Sequence, residues 1–132
     1  MRPRIVCDAS AVVAVLLDAG PDGRWATGAL TGADLAAPSL LPFEVANIIR
    51  RHELAALITA EQAAQAHSDL RDLAIEQWPY DLLAPRAWQL RKNLTTYDAS
   101  YVALAELLGT AIATLDRRIG RAPGLRCTVA TP

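Results

Sequence analysis

Four acidic residues, each in a different part of the chain, are of a type that could act together on a metal ion. They are Asp8, Glu44, Asp98 and Asp116. Asp8 and Asp116 each directly follow an apolar run typical of a buried strand, while Glu44 and Asp98 lie near the starts of predicted helices. The helix dipole favours acidic residues near helix N-termini, so each acid alone also has a structural explanation. The hypothesis of a shared site therefore depends on the set of four.

Such a set of carboxylates predicts binding of a hard divalent cation. Carboxylates that lie close together repel one another and raise each other's pKa values. A divalent ion removes this repulsion, and oxygen-only ligands suit Mg²⁺ or Mn²⁺. Such an ion can activate water, align it with a phosphodiester and stabilise the charge on the leaving oxygen. We therefore expect a phosphodiesterase site with one or two ions, and the sequence leaves that number open.

Three polar residues near these acids are candidates for holding the carboxylates or the water molecules of a metal ion. Ser10 lies two residues after the first acid, and Thr114 lies two residues before the last, on the same face of an extended strand. Asn47 lies one turn after Glu44 and shares its helix face. Helix capping and strand propensity explain Ser10 and Thr114 equally well, so both interpretations stay open for them.

Apolar runs and capping signals predict strands that alternate with helices. The predicted strands are residues 5–7, 35–37, 75–78, 111–115 and 127–129. The predicted helices are residues 9–17, 22–30, one with Ser39 as its N-cap, 59–73, 85–92, 95–108 and a short turn at 116–119. Thr59 and Gln62 match a capping box at the start of the helix at 59–73, and Gly109 is in the position expected to end the helix at 95–108. This alternation predicts a mostly parallel sheet covered on both faces. Ligands bind at the carboxyl ends of the strands in such folds, where we expect the acids to converge.

Length and charge limit the kinds of function that this chain can have. A chain of 132 residues fits a single domain, residues 1–132, and 52% hydrophobic residues are enough to build a core. A formal net charge of −1 excludes a strongly basic surface over the whole molecule. Binding of nucleic acid then requires a local basic patch or bound metal. Arg117 and Arg118, which follow the last acid, are the best candidates for holding a nucleic-acid phosphate beside the metal.

The N-terminal region and the cysteines indicate an intracellular protein. Arg2 and Arg4 precede an apolar run that superficially resembles a secretory signal, but Asp8 interrupts it and it is far too short to span a membrane. We therefore expect a cytoplasmic protein. Cys7 and Cys127 fit no zinc-site spacing, and both are expected to be buried thiols rather than a disulfide.

The chain resembles the PIN-domain ribonucleases over essentially its whole length, and within them the VapC toxins of bacterial toxin–antitoxin pairs. Four segments carry the resemblance: VCDAS at residues 6–10, PFEVAN at 42–47, YDASYVALAE at 97–106 and TLD at 114–116. The third segment is the most specific, and the order and spacing of all four strengthen the resemblance. Each segment contains one of the four acids.

The resemblance implies a three-layer α/β/α sandwich with a central, mostly parallel sheet. It implies metal-dependent cleavage of RNA, with the four acids as the family's acidic cluster and Thr114 close to it. It also implies a homodimer, and a cognate VapB-like antitoxin that wraps around the toxin and reaches the acidic pocket. Nothing in the sequence identifies the RNA target or the cut position.

Three alternative functions can be compared with the sequence. A haloacid-dehalogenase-like phosphatase carries a second aspartate where this chain has Ser10. A response-regulator receiver domain needs paired acids after its first strand and a lysine after its last, and neither is present. The remaining alternative is a PIN fold kept only for binding RNA or a partner. Retention of all four acids argues against it, because neutral residues would relieve their repulsion.

Overall fold

The computed structural model describes residues 2–132, which form five strands and seven helices. The strands are β1 (Arg4–Cys7), β2 (Asp34–Pro38), β3 (Ile75–Trp78), β4 (Ile112–Ala113) and β5 (Val129–Ala130). The helices are α1 (Ala9–Leu17), α2 (Pro21–Leu30), α3 (Leu41–Leu54), α4 (Ala60–Asp72), α5 (Tyr80–Gln89), α6 (Thr96–Leu108) and α7 (Arg117–Arg121). The predicted alternation of strands and helices is confirmed.

The sheet is parallel throughout, with the strand order β3-β2-β1-β4-β5. From β1 the chain first builds outward through β2 and β3, and then returns to add β4 and β5 on the other side of β1. Cys7 of β1 pairs with Ala113 of β4. The strand order therefore reverses between β1 and β4, which is where folds of this class bind ligands.

Helices cover the two faces of the sheet. On one face α1 packs on α2 and α3, and α3 packs on α4; on the other, α5 packs on α6, which contacts β1, β2 and β4. Crossovers between parallel strands are right-handed, so the direction in which the chain moves across the sheet decides which face its helices cover. The chain changes that direction after β3, and the later helices therefore lie on the other face. The core includes the fully buried Val6, Val12, Val45, Leu104 and Ile112. This is the predicted three-layer α/β/α sandwich.

Two capping predictions are confirmed and one is wrong. Thr59 and Gln62 form the expected capping box at α4, and Gly109 ends α6 with a φ of 64°. Ser39 was expected to cap α3, but the N-cap is Leu40, without a side-chain hydrogen bond. The Ser39 N–H instead donates to the Trp78 carbonyl at 2.8 Å, which prolongs the pairing of β2 with β3.

Several predicted boundaries are also wrong. Helix α5 begins at Tyr80 and contains Pro85, which was expected to begin it. Burial of Leu83 and Ala87, one turn apart, overrides the missing proline N–H. Strand β4 has two residues instead of five, and β5 lies further along the chain than expected because it pairs with those two.

Cys7 is buried as predicted, Cys127 is only partly buried, and both are free thiols. No helix within residues 2–132 is long and apolar enough to cross a membrane.

Candidate metal centre

Asp8 lies at the carboxyl end of β1 and is the N-cap of α1. Its side chain is 6% exposed, and its Oδ1 accepts hydrogen bonds from the Ala11 N–H at 3.0 Å and the Ser10 hydroxyl at 2.7 Å. The Thr114 hydroxyl donates to Oδ2. Burial raises the pKa of Asp8; its three hydrogen bonds oppose this rise, and the charge of Asp98 adds to it. All three of these donors are neutral, so they leave the negative charge of Asp8 uncancelled.

The hydroxyls of Ser10 and Thr114 join the end of β1 to the end of β4. While each donates to Asp8, the Ser10 oxygen accepts from the Leu115 N–H at 3.0 Å and the Thr114 oxygen accepts from the Asp116 N–H at 2.9 Å. Thr114 is fully buried. The two hydroxyls therefore hold the carboxylate of Asp8 and also shape the turn that carries Asp116.

Glu44 lies in the first turn of α3 and is held from the opposite layer of the sandwich by Tyr101 of α6. The buried Tyr101 hydroxyl donates to Glu44 Oε1 at 2.7 Å. Burial raises the pKa of Glu44; the Tyr101 hydrogen bond opposes this rise, and the charges of Asp98 and Asp8 add to it. Burial and the bond to Glu44 also raise the pKa of the Tyr101 phenol, which therefore keeps its proton and remains a donor.

Asp98 lies in the first turn of α6, where its N–H donates to the hydroxyl of the N-cap Thr95 at 3.1 Å. Burial raises the pKa of its carboxyl, the charge of Asp116 raises it further, and Thr95 and Arg118 lower it. Asp98 thus interacts electrostatically with each of the other three acids. It also lines a cavity of about 210 Å³ together with Asp116 and Arg118.

Asp116 follows β4 and is the N-cap of α7, and it is paired with Arg118. Its Oδ1 accepts from the backbone N–H and the Nε of Arg118, each at 3.0 Å, and its Oδ2 accepts from Nη2 at 2.8 Å. The hydrogen bond from the Arg118 side chain is the main reason that the pKa of Asp116 is lowered. Asp116 is therefore the one member of the four whose charge is already balanced by a cation.

The four acids converge at the predicted edge of the sheet, and their donors suit a hard divalent ion. Burial is the main reason that Asp8, Glu44 and Asp98 have raised pKa values, and the charge of a neighbouring acid adds to each rise, which is the repulsion that a cation would relieve. Between Arg2 and Pro132, however, no group of three or more Asp, Glu, His or Cys side chains is placed so that the group could hold a metal ion without rearrangement. Mg²⁺ usually keeps several waters and uses one or two carboxylates, so an open set of oxygen ligands fits it.

Two predicted site residues lie outside this network, and Tyr101 was not predicted to belong to it. Asn47 is exposed on α3, and no hydrogen bond joins its side chain to another described residue. Arg117 donates to the Pro132 carbonyl at 2.7 Å. Tyr101 lies three residues after Asp98, inside the most specific of the sequence motifs, and this spacing on one helix is the signal that could have identified it.

Comparison with known proteins identifies the family. The family model of the PIN domain matches residues 5–125, a span that includes all four acids. The chain belongs to the PIN-domain family. This PIN domain is 41% identical over 125 residues to Ribonuclease VapC1 of Mycobacterium tuberculosis, and the alignment covers 94% of each chain. It is 38% identical to Ribonuclease VapC9 of the same organism, with 95% of each chain covered.

Solved structures show the same fold. The sarcin–ricin-loop-cleaving toxin VapC20 of M. tuberculosis superposes with a TM-score of 0.68 at 14% identity, covering 97% of this chain and 99% of that one. VapBC-5, a toxin–antitoxin system of M. tuberculosis, gives a TM-score of 0.63 at 20% identity and covers 98% of both chains. The predicted fold class and the resemblance to VapC toxins are confirmed.

Proposed function

We propose that this PIN domain is a metal-dependent endoribonuclease and the toxin of a VapBC-type toxin–antitoxin pair, acting in the cytoplasm. The main support is the electrostatics of the site: Asp98 interacts with Asp8, Glu44 and Asp116, and the charge of the buried Asp8 is held only by neutral donors among the described residues. A protein that used this edge only for binding would be more stable with neutral residues here. The curated relatives are named ribonucleases.

Each residue of the site has a proposed task. Asp8, Glu44, Asp98 and Asp116 would hold Mg²⁺ or Mn²⁺, which when bound supplies the charge that activates water and stabilises the leaving oxygen. Ser10 and Thr114 fix the carboxylate of Asp8, and Tyr101 orients that of Glu44. Asn47, on the same helix as Glu44, is proposed to hold a water molecule of the ion. Arg117 and Arg118 are proposed to hold RNA phosphate next to the reacting bond.

Cleavage of structured RNAs with and without divalent metal tests this function. We expect cleavage in Mg²⁺ or Mn²⁺, loss of cleavage in EDTA, and a fall of more than about 100-fold in Asp8→Asn and Asp98→Asn, which remove a ligand charge. Asp34→Asn is the matched control, because Asp34 is an exposed aspartate at the amino end of β2. Full activity in EDTA would contradict the metal mechanism. RNA binding by the wild-type protein without cleavage would instead favour the binding-only alternative.

An apolar groove beside the site supports the proposed antitoxin partner. The groove has a volume of about 490 Å³ and runs from Ser10 and Leu115 along α1 and α3. Its apolar lining includes Val13, Leu17, Ile48, Leu57 and Ile58. We expect the product of a small adjacent gene to co-purify with the PIN domain and to block cleavage, and Ile48→Asp to weaken that complex. An adjacent product that binds without inhibiting cleavage would contradict the toxin assignment and leave the nuclease assignment intact.

Exposed apolar side chains support the proposed homodimer. Phe43 is 80% exposed, Leu82 57% and Tyr97 63%, and all three lie in the first turns of helices that begin near the acidic edge. We expect light scattering to give the mass of a dimer and Leu82→Glu to shift it towards a monomer. A monomer at every concentration would contradict this part of the proposal.

A further inference from the structure

We propose that Arg118 is an internal competitor of the metal ion: it occupies Asp116 in the metal-free protein, and metal binding requires this ion pair to open. The inference rests on the proposed function, since it concerns the ion that the four acids would hold. It differs from a simple phosphate-binding role for Arg118, because it assigns that side chain a partner inside the site before any RNA is bound.

The geometry of the pair shows how Arg118 would compete. Its guanidinium engages both carboxylate oxygens of Asp116, through Nε at 3.0 Å and Nη2 at 2.8 Å. A bidentate pair of this kind covers the lone pairs that a metal ion would need. Arg118 also lowers the pKa of Asp98, so its positive charge lies close to the acid that interacts with all the others. Both effects oppose the arrival of a divalent ion.

Arg118 is free to leave once a stronger cation arrives. Its side chain is 84% exposed, whereas that of Asp116 is 24% exposed, so the arginine lies over the acid from the solvent side. Within residues 2–132 its guanidinium has no hydrogen-bond partner other than Asp116. The backbone N–H of Arg118 donates separately to Asp116 Oδ1, so Asp116 remains the N-cap of α7 when the Arg118 side chain departs. An exposed ion pair is weak, so it would reduce metal affinity by about two- to fivefold rather than prevent binding.

Titration calorimetry with Mn²⁺ tests the competition without any measurement of cleavage. We expect Arg118→Ala to bind Mn²⁺ about two- to fivefold more tightly than the wild-type protein. Arg118→Lys should lie between them, because lysine keeps the charge but cannot form the bidentate pair. Arg121→Ala is the matched control: it removes the same charge from the last turn of α7, away from Asp116, and should leave affinity unchanged.

A double-mutant cycle with Asp116→Asn separates competition at Asp116 from a general charge effect. If Arg118 competes by occupying that carboxylate, Arg118→Ala should have no effect on Mn²⁺ affinity in the Asp116→Asn background. An equal gain in both backgrounds would overturn the competition, as would unchanged or weaker binding by Arg118→Ala alone. Absence of Mn²⁺ binding by the wild-type protein would overturn the metal-dependent function itself, and is thereby distinguished from failure of this inference.

Discussion

At the scale of single residues, Asp98 is the acid whose charge most affects its neighbours. Its folded-state pKa is raised by burial and by Asp116. An acid with a raised pKa contributes most to stability below its unfolded pKa, and that contribution is lost as pH rises through the folded pKa. We therefore predict that Asp98→Asn stabilises the metal-free protein at pH 7, by about 1 kcal/mol after allowance for the solvent exposure of Asp98, which corresponds to about 3–5 °C in Tm.

Thermal melting in EDTA and in Mg²⁺ measures this effect. The gap between Asp98→Asn and the wild-type protein should shrink as pH falls through the raised folded-state pKa of Asp98, where the wild-type carboxyl becomes protonated. Added Mg²⁺ should reverse the ranking, because it binds the native wild-type protein and stabilises it by mass action. Asp34→Asn, at the opposite edge of the sheet, is the control, and its Tm should follow that of the wild-type protein both in EDTA and in Mg²⁺. A lower Tm for Asp98→Asn in EDTA, with no response of the wild type to Mg²⁺, would mean that Asp98 only stabilises the N-terminal turn of α6.

Replacing Thr114 is expected to lower the stability of the protein, opposite to the effect of Asp98→Asn, because the Thr114 hydroxyl makes two hydrogen bonds. It donates to Asp8 and accepts from the Asp116 N–H while fully buried. Thr114→Val keeps the shape but leaves that N–H unpaired, so we expect a loss of about 1–3 kcal/mol in unfolding free energy. The Thr114 bond also lowers the pKa of Asp8, so the acid limb of the activity profile should move to higher pH. Urea unfolding and a pH–rate profile check both effects, and Thr114→Ser should restore them.

The sequence was sufficient to place Asp8 and Asp116 directly after strands, and Glu44 and Asp98 near the starts of helices, because local patterns mark where those elements begin and end. It was not sufficient for contacts that depend on tertiary distance. Tyr101 reaches Glu44 across 57 positions of sequence, and no spacing rule relates the two. Arg118 was predicted to face RNA, and its pairing with Asp116 depends on how the short α7 turns after its N-cap. Local sequence patterns predict the element on which a side chain lies, and tertiary packing determines which other residues it contacts.

At the scale of elements, one ion pair fastens two helices to the C-terminal segment. Glu106 of α6 accepts from Arg86 of α5 at 2.6 Å and from the Arg126 N–H at 2.7 Å, and Arg86 also donates to the Gly124 carbonyl at 2.7 Å. The Arg86 and Glu106 side chains are 21% and 9% exposed. Glu106→Ala would leave the partly buried Arg86 without its carboxylate and the Arg126 N–H without its acceptor, so we predict a loss of about 1–3 kcal/mol in unfolding free energy.

Urea unfolding of single and double variants checks this prediction. Replacing both partners, with Arg86→Met and Glu106→Leu together, should cost less than Glu106→Ala, because no buried charge is then left alone. Glu61→Ala, at an exposed position in the first turn of α4, provides a control for loss of a glutamate. A cost below about 1 kcal/mol for Glu106→Ala would show that solvent reaches the pair and that it does not fasten these elements.

Element boundaries show the same limit of prediction from sequence. The existence and order of the strands and helices followed from local patterns. The starts of α5 and β5 did not, because α5 is fixed by packing of Leu83 and Ala87 against α6, and β5 by its pairing with Ile112 and Ala113. Proline and short apolar runs carry only weak local signals, which long-range contacts override.

At the scale of the whole molecule, the charge balance predicts that the proposed metal ion would matter for RNA binding as well as for the proposed cleavage. The net charge of −1 gives no long-range attraction for a polyanion. The acidic edge itself would repel RNA when no metal is bound. In the metal-free protein the Arg118 guanidinium is also held by Asp116. Metal binding would therefore both cancel the repulsion and release a basic side chain towards the substrate.

We predict that Arg118 contributes to RNA binding only in the presence of divalent metal. With a non-hydrolysable RNA analogue in fixed Mg²⁺, affinity should fall with added monovalent salt, and Arg118→Ala should make that slope shallower by about 0.7–0.9, the value for one phosphate contact. In EDTA, where Asp116 holds the guanidinium, the same substitution should leave the slope unchanged. Arg117→Ala measures the contribution of the neighbouring Arg117 to the salt slope under both conditions. An equal decrease in slope for Arg118→Ala with and without Mg²⁺ would mean that Arg118 reaches RNA whatever the state of Asp116, because its exposed side chain would then exchange partners without help from the metal.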